Sequence, residues 1–188
     1  MTFFYSFYLF VVMQRLLELI IAKRNERWMK ARGGREYGKK QYIFIVLVHV
    51  GFFISLFLEV TSFHKEISNY WPILLSLFLL AQLGRLWVIT SLGSFWNTKI
   101  IVLPYANVVA DGPYKWMKHP NYFIVTVEFI LIPLLFQAYM TMLIFFLLNQ
   151  LILTIRIPLE EKILREYTNF DKQAVKSNII YLRQKRTK

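Results

Sequence analysis

The chain has 188 residues, of which 56% are hydrophobic and 18% are charged, whereas soluble domains average about 45–50% and about 25%. Its formal net charge is +12, and it contains no cysteine. This composition excludes a soluble globular enzyme, and the lack of thiols excludes disulfides, thiolate metal sites and a thiol nucleophile within the chain. The basic residues flank apolar runs, so we expect anionic membrane lipids, and not nucleic acid, as their partners.

Five apolar stretches are long enough to cross the bilayer core, which takes roughly 20 helical residues. They cover residues 2–22, 41–60, 71–92, 122–138 and 141–158. Because residues 137–141 leave room only for a tight turn, the last two spans are predicted to form a helical hairpin. The sequence therefore predicts one all-α, multi-pass integral membrane domain, ending in a hairpin and a polar tail.

The distribution of Lys and Arg predicts the orientation of these spans, because positive residues stay on the cytoplasmic side. With the N-terminus outside, the cytoplasmic segments 23–40, 93–121 and 162–188 hold eight, three and eight basic residues, and the external connections hold one, Lys65. We therefore expect an external N-terminus and a cytoplasmic C-terminus. The first apolar stretch precedes its basic cluster, unlike a signal peptide, so we expect it to be retained.

Polar side chains occur inside the spans, where a charged group costs about 2.5–3.5 kcal/mol on insertion scales. They are Gln14, Arg15, Glu18, Gln82, Arg85, Glu128, Asn149, Gln150 and Arg156. Two interpretations stay open: the charged groups pair between packed helices, or they line a polar cavity that opens to the cytoplasm.

The end of the fifth span favours a ligand site more strongly. Arg156 and Glu160 are four residues apart on one helix face, so we expect them to pair, and Pro158 between them is expected to bend the helix. A paired Arg and Glu at a bent, interfacial helix end can hold a zwitterion.

Glycine and proline interrupt the connection 93–121 too often for a long helix, which predicts a lid on the cytoplasmic side. Its aromatic residues are typical of the headgroup level, and they are Trp96, Tyr105, Tyr114 and Trp116. His119 precedes Pro120, which suits the first helical position, so we expect His119 to cap the fourth span. An anion is favoured at such a helix start; the alternative is a purely structural cap. The histidines lack ligand spacing, so we predict no metal site.

Two segments resemble a known family. They read LGRLWVITSLGSFWNTKIIVLPYANVVADGPYKWMKHPNY at 83–122 and RIPLEEKILREY at 156–167. They are similar to the core of the isoprenylcysteine carboxyl methyltransferase family, which would here cover about residues 83–170. The resemblance implies S-adenosylmethionine as cofactor, S-adenosylhomocysteine as product and a site on the cytoplasmic side. It implies cofactor-binding roles for His119, Pro120, Tyr122, Arg156 and Glu160, and catalytic roles for Arg156, Glu160 and Glu161.

Departures from the family pattern bear on the acceptor. Lys118 stands where the family usually has Arg, Phe123 where a small residue often follows the Tyr, and the aromatic tail motif is matched loosely by Tyr167 and Phe170. With the short chain, these features resemble the bacterial branch. That branch implies a lipophilic small-molecule acceptor, such as an alkylpyrone, methylated on a carboxylate or acidic hydroxyl oxygen.

Glu128 and Trp116 are our candidate substrate-binding residues. An ionised acceptor needs no strong base, whereas an ordinary alcohol would need one, for which Glu128 or Glu161 are the candidates. The alternatives are a phospholipid N-methyltransferase, an NADPH-dependent membrane reductase of the same superfamily, and a membrane protein that is not an enzyme. The sequence shows no internal repeat, which disfavours a secondary transporter. The oligomeric state stays open.

Overall fold

The computed structural model describes residues 1–104 and 106–168, which form five α-helices, one short antiparallel ribbon, two 3-10 turns and the connections between them. The elements are α1 Thr2–Lys30, β1 Arg35–Tyr37, α2 Lys39–Ser62, α3 Trp71–Leu92, β2 Ile100–Val102, α4 Pro120–Leu135 and α5 Tyr139–Tyr167. The predicted aromatic anchor Tyr105, the tail residue Phe170 and the rest of the basic tail lie outside the described residues.

Four helices, α1, α2, α3 and α5, are long and apolar enough to cross a membrane. This confirms the prediction of an all-α integral membrane protein. The helix at the fourth predicted span, α4, has 16 residues, or about 24 Å at 1.5 Å per residue, which is short of the ~30 Å bilayer core. It packs between α3 and α5, and the count of five spans stays a prediction.

The connection between α4 and α5 is as short as the sequence predicts. It consists of Phe136, Gln137 and Ala138, and Gln137 adopts a left-handed backbone with φ 55°. A carboxylate of α2 fixes the far side of this turn. Glu59 accepts hydrogen bonds from the backbone N–H groups of Met140 (3.2 Å) and Thr141 (2.7 Å), which are among the unpaired donors at the start of α5.

Two helices extend well beyond their predicted ends. α1 continues to Lys30, where its polar turns are stabilised by ion pairs of Glu26 with Lys23 (3.5 Å) and Lys30 (2.6 Å). α5 continues through Pro158 to Tyr167. Ion pairs between residues three or four apart keep such polar turns helical, so both helices reach past the apolar stretch.

The ribbon was not predicted, because strands of three residues have no readable periodicity. β1 pairs antiparallel with β2, with Tyr37 opposite Ile100. Ile100 and Val102 of β2 are buried against Ile163 of α5. The ribbon thus places the segment 93–102 between the C-terminal ends of α1 and α5, where the cavity described next is found.

Candidate functional site

A cavity of about 190 Å³ lies where α4 begins, beside the C-terminal part of α5 and under the connection that follows β2. One wall is apolar and includes Ile100, Ile101, Val102, Leu103, Val108 and Val109. The polar residues of the lining, which we call the polar wall, include Asn97, Thr98, His119, Asn121, Tyr122, Arg156 and Glu160. The lining therefore suits a ligand with one polar and one apolar part.

Arg156 is the most enclosed charged group of the polar wall, with 2% of its surface exposed. Its Nε donates a hydrogen bond to the Tyr122 hydroxyl (3.1 Å), and its Nη2 donates to the Thr98 carbonyl (3.0 Å). The Tyr122 hydroxyl in turn donates to the Glu160 carboxylate. The guanidinium is thus oriented by groups from α4 and from the segment before β2.

The expected direct pair of Arg156 and Glu160 is wrong. Both residues are described, and no ion pair joins them; the hydroxyl of Tyr122 stands between the two side chains. The reason is that the first turn of α4 packs against this face of α5, which spacing along α5 alone could not reveal. The family resemblance implies that Tyr122, Arg156 and Glu160 belong to one site, and their side chains are neighbours in the structure.

Three buried polar atoms at the cavity have no hydrogen-bond partner within the described part of the chain. They are Trp96 Nε1, Asn121 Oδ1 and Arg156 Nη1, and all three residues line the cavity. A buried polar atom without a partner costs about 1–3 kcal/mol and is rare in native proteins. These atoms, two donors and one acceptor, point to a ligand that carries both an acceptor and a donor.

His119 and Glu161 form the edge of the site. His119 is the N-cap residue of α4 and Pro120 its first residue, as predicted, but the His119 side chain does not cap the helix. Its ring stacks on Tyr122 with centroids 5.4 Å apart, and its Nε2 lies 3.3 Å from Glu161. Glu161 also pairs with Lys118 (3.4 Å) and Arg165 (3.1 Å). Glu161 does not line the cavity, so it orients His119 from outside.

The cavity also contains a tyrosine from the connection before α4. Tyr114 lies in the short 3-10 turn Gly112–Lys115 and lines the cavity. Burial, together with the nearby Glu160 carboxylate, raises the pKa of Tyr114 above its usual range. Its phenol is therefore neutral at physiological pH and can donate a hydrogen bond.

Glu128, one of our two candidate substrate-binding residues, does not line the cavity. It is 1% exposed and accepts hydrogen bonds from Arg15, from Arg85 (3.2 Å to Nε) and from Gln82 (2.8 Å). We call the group to which it belongs the intramembrane cluster. Its members are Gln14, Arg15, Glu18, Gln82, Arg85 and Glu128. These charged groups pair between the packed helices α1, α3 and α4. This agrees with the first interpretation of the sequence, in which the charges join helices and do not line a cavity.

Trp116, the other candidate substrate-binding residue, is also outside the cavity. Its side chain is 70% exposed and meets Trp87 edge to face, with centroids 5.6 Å apart. Two lining residues that carry an unpartnered polar atom, Asn121 and Trp96, were not predicted as site residues. Asn121 sits between the motif residues Pro120 and Tyr122, and Trp96 was assigned only to the headgroup level. No signal in a single sequence marks either as a ligand group.

Comparison with known proteins places this site inside a recognised region. The isoprenylcysteine carboxyl methyltransferase (ICMT) family matches residues 74–166, which include the polar wall of the cavity. The uncharacterized protein YpbQ of Bacillus subtilis (strain 168) is 44% identical over 158 residues, or 84% of this chain and 94% of the relative. An uncharacterized protein of Haemophilus influenzae (strain ATCC 51907 / DSM 11121 / KW20 / Rd) is 30% identical over 148 residues, or 78% and 86%. No solved structure matches.

Proposed function

Because the chain belongs to the isoprenylcysteine carboxyl methyltransferase family, and is thus a multi-pass membrane methyltransferase, we propose that it uses S-adenosylmethionine to methylate an oxygen of a lipophilic acceptor. The observation that carries this proposal is the buried guanidinium of Arg156, a residue that lines the cavity and whose Nη1 has no hydrogen-bond partner within the described part of the chain. A buried cation with a free N–H pair requires an anionic or strongly polar ligand atom.

The donors and acceptors of the cavity fit the amino-acid end of S-adenosylmethionine. Arg156 Nη1 and Trp96 Nε1 are donors for a carboxylate, and Asn121 Oδ1 is an acceptor for an ammonium group. The carboxylate of Glu160 lines the same wall and adds negative charge for that ammonium. Hydrogen bonds between charged groups are about twice as strong as neutral ones, so this end of the cofactor is expected to dominate its binding.

The cofactor supplies, when bound, a methyl group activated by the positive charge on sulfur. The protein then has to align the acceptor oxygen and keep water away, and alignment alone can contribute about 7–11 kcal/mol. The hydroxyl of Tyr122 fixes Arg156 and Glu160 relative to each other. The apolar wall formed by β2 and the following connection offers a surface for the acceptor's hydrocarbon chain.

The carboxylates of the site favour an acceptor that arrives already ionised. Glu160 is the one carboxylate among the described residues that line the cavity, and it already accepts a hydrogen bond from Tyr122. Glu128 is enclosed by arginines, and Glu161 lies outside the cavity. An alcohol would need a free base, so we propose a carboxylate or an acidic hydroxyl, as in an alkylpyrone, as the acceptor group.

The basic residues at the C-terminal end of α1 indicate the side of the membrane to which the cavity opens. The cavity lies beside Met29, at the end of α1 that carries the basic segment 23–40. Because basic segments stay on the cytoplasmic side, we propose that the cavity opens to the cytoplasm, where S-adenosylmethionine is available. The N-terminus is then external and the C-terminus cytoplasmic.

Binding and transfer assays test this function. Purified protein in lipid nanodiscs is titrated with S-adenosylhomocysteine and NADPH while its melting temperature is followed, because a ligand of the folded state raises apparent stability. We expect stabilisation by S-adenosylhomocysteine alone, and transfer of labelled methyl from S-adenosylmethionine to an alkylpyrone. Stabilisation by NADPH alone would assign the chain to a reductase, and methylation of phosphatidylethanolamine alone would contradict the oxygen acceptor.

A further inference from the structure

We infer that the C-terminal end of α1 is part of the cofactor site, with Asn25 and Glu26 as positioning residues for the cavity wall. The inference rests on the proposed function and goes beyond it, because α1 lies before residues 74–166, the region that the family matches. The wall in question is the segment 93–99, between α3 and β2. Its residues Phe95, Trp96, Asn97, Thr98 and Lys99 all line the cavity.

The side chain of Asn25 binds the backbone of this segment. Its side-chain amide, in a residue that is 8% exposed, donates to the carbonyl oxygens of Gly93 (3.1 Å) and Trp96 (2.8 Å). In the opposite direction, Asn97 donates to the carbonyl of Ala22 on α1 (3.1 Å). Three hydrogen bonds thus fix a short irregular segment against one turn of α1.

Glu26 adds an ionic contact one residue further on. Lys99 lies 3.0 Å from Glu26 and 3.3 Å from Glu36 of β1. Burial opposes the charged form of Lys99, but the two carboxylates raise the pKa of Lys99 above its usual value. Lys99 therefore stays charged, and it holds the end of the segment between α1 and the ribbon. Met29, one turn beyond Asn25, is buried and lines the cavity directly.

The segment that α1 fixes carries groups on which the site depends. The carbonyl of Thr98 accepts the hydrogen bond from Arg156 Nη2, and the indole of Trp96 holds one of the unpartnered donors. If the segment shifts, the guanidinium loses one of its two orienting contacts. Asn25 and Glu26 thus act on the ligand through Trp96, Thr98 and Arg156.

These contacts are not needed merely to attach α1 to the rest of the protein. About three turns away, the intramembrane cluster already joins α1 to α3 and α4, for example through Gln14 and Gln82. Gln14 therefore offers a matched control. It is an amide of the same helix that makes a contact between helices, but it does not touch the segment 93–99.

The first test compares Asn25→Ala and Gln14→Ala in the full-length protein in nanodiscs. Both variants are expected to lower the melting temperature. Loss of the hydrogen bonds to the segment should raise the Kd for S-adenosylmethionine at least about fivefold in Asn25→Ala, with less than about a twofold change in Gln14→Ala. Equal affinities in the two variants would overturn the inference. If Asn25→Ala does not fold, Glu26→Gln takes its place with the same criteria, since it weakens the contact with Lys99 together with the ion pairs to Lys23 and Lys30 within α1.

The second test needs no cofactor. Because the chain lacks cysteine, a single Thr98→Cys substitution reports on the wall through its rate of alkylation. We expect a severalfold faster rate when Asn25→Ala is added and no change when Gln14→Ala is added. A faster rate in a protein that binds no S-adenosylmethionine supports the positioning role while contradicting the proposed function. An unchanged rate in a protein that binds the cofactor normally overturns the positioning role alone.

Discussion

Two arginines of this protein are equally buried, each with 2% of its surface exposed, yet their surroundings differ. Arg85, in the intramembrane cluster, uses all three nitrogens: Nε and Nη2 donate to Glu128, and Nη1 donates to Glu18 at 3.1 Å. Arg156, at the cavity, uses two nitrogens and leaves Nη1 without a partner. Burial of a charge does not by itself indicate a ligand site; the unpaired donor does.

The same contrast holds for the two polar groups as wholes. The side chains of the intramembrane cluster bind one another, which fits contacts that hold α1, α3 and α4 together. The cavity contains the three buried atoms without partners. We therefore expect substitutions in the intramembrane cluster to change stability, and substitutions at the cavity to change ligand affinity.

The largest expected effect is on stability, from Glu128→Gln. It removes the carboxylate shared by Arg15 and Arg85, and breaking a buried ion pair by removing one partner typically costs about 3–5 kcal/mol. The affinity of the remaining folded protein for S-adenosylhomocysteine should stay unchanged. Both are measured in nanodiscs, by denaturation and by ligand titration. The control is Glu66→Gln, at an exposed position, where a change within about 0.5 kcal/mol is expected. A lower affinity in Glu128→Gln would show that the intramembrane cluster also influences ligand binding at the cavity.

The next effect is on affinity, from Arg156→Lys. Lysine keeps the charge but loses the planar fork of donors, so cofactor binding should weaken by about 1.5–3 kcal/mol, the range for a hydrogen bond to a charged group. Arg165→Lys, further along α5 and outside the cavity lining, is the control. Isothermal titration with S-adenosylmethionine and a melting curve are recorded for each variant. A loss of stability in Arg156→Lys without a loss of affinity would show that Arg156, like Arg85, stabilises the fold and does not bind the ligand.

A smaller effect is expected from Gly112→Ala in the lid. Gly112 has φ +58°, and a Cβ there would lie 2.3 Å from Ser91 Oγ and 3.0 Å from Trp87 Nε1. The left-handed backbone alone costs a non-glycine residue roughly 1–2 kcal/mol, and the clash would displace the turn that carries Tyr114. We expect severalfold weaker cofactor binding, measured by titration. The double variant with Ser91→Gly removes the Ser91 contacts and should recover part of the loss; no recovery would assign the effect to backbone strain and the Trp87 contact.

The smallest effect concerns pH and the ribbon beside the cavity. Burial raises the pKa of Glu36, but hydrogen bonds and charges from Lys30 and Lys99 lower it more strongly. The pKa of Glu36 in the folded protein therefore lies below its usual value. Its contribution to stability is therefore complete above the unfolded pKa of about 4.3 and is lost as pH falls through the lower folded pKa. Glu36→Gln should flatten this part of the curve of melting temperature against pH. An unchanged curve would show that the ribbon contributes nothing to acid stability.

The sequence predicted the helices well and the contacts between them poorly. Apolar length alone located α1, α2, α3 and α5, because the bilayer demands long uninterrupted apolar helices. It could not decide whether Glu128 pairs or binds a ligand, since its partners Arg15 and Arg85 lie on other helices. Pairing of Arg156 with Glu160 followed from spacing along one helix and was wrong, because Tyr122 of α4 lies between them.

Residues implied by the family resemblance lie together in the structure, whereas helix spacing alone misjudged the contact between Arg156 and Glu160. His119, Tyr122, Arg156 and Glu160 all line one cavity. Asn25 could not have been found, because its importance depends on backbone carbonyls in an irregular segment 68 residues away or more. Contacts of that kind leave no periodic pattern.

The contact between Glu59 and the start of α5 bears on how the protein is made. The ribosome releases α2 long before α5, so the carboxylate of Glu59 exists in the nascent chain before the N–H groups of Met140 and Thr141 that it binds. The hairpin of α4 and α5 is therefore added last, onto a binding point that is already in place. Because this hairpin carries Tyr122 and Arg156, the polar wall of the cavity is completed only after α5 has been synthesised.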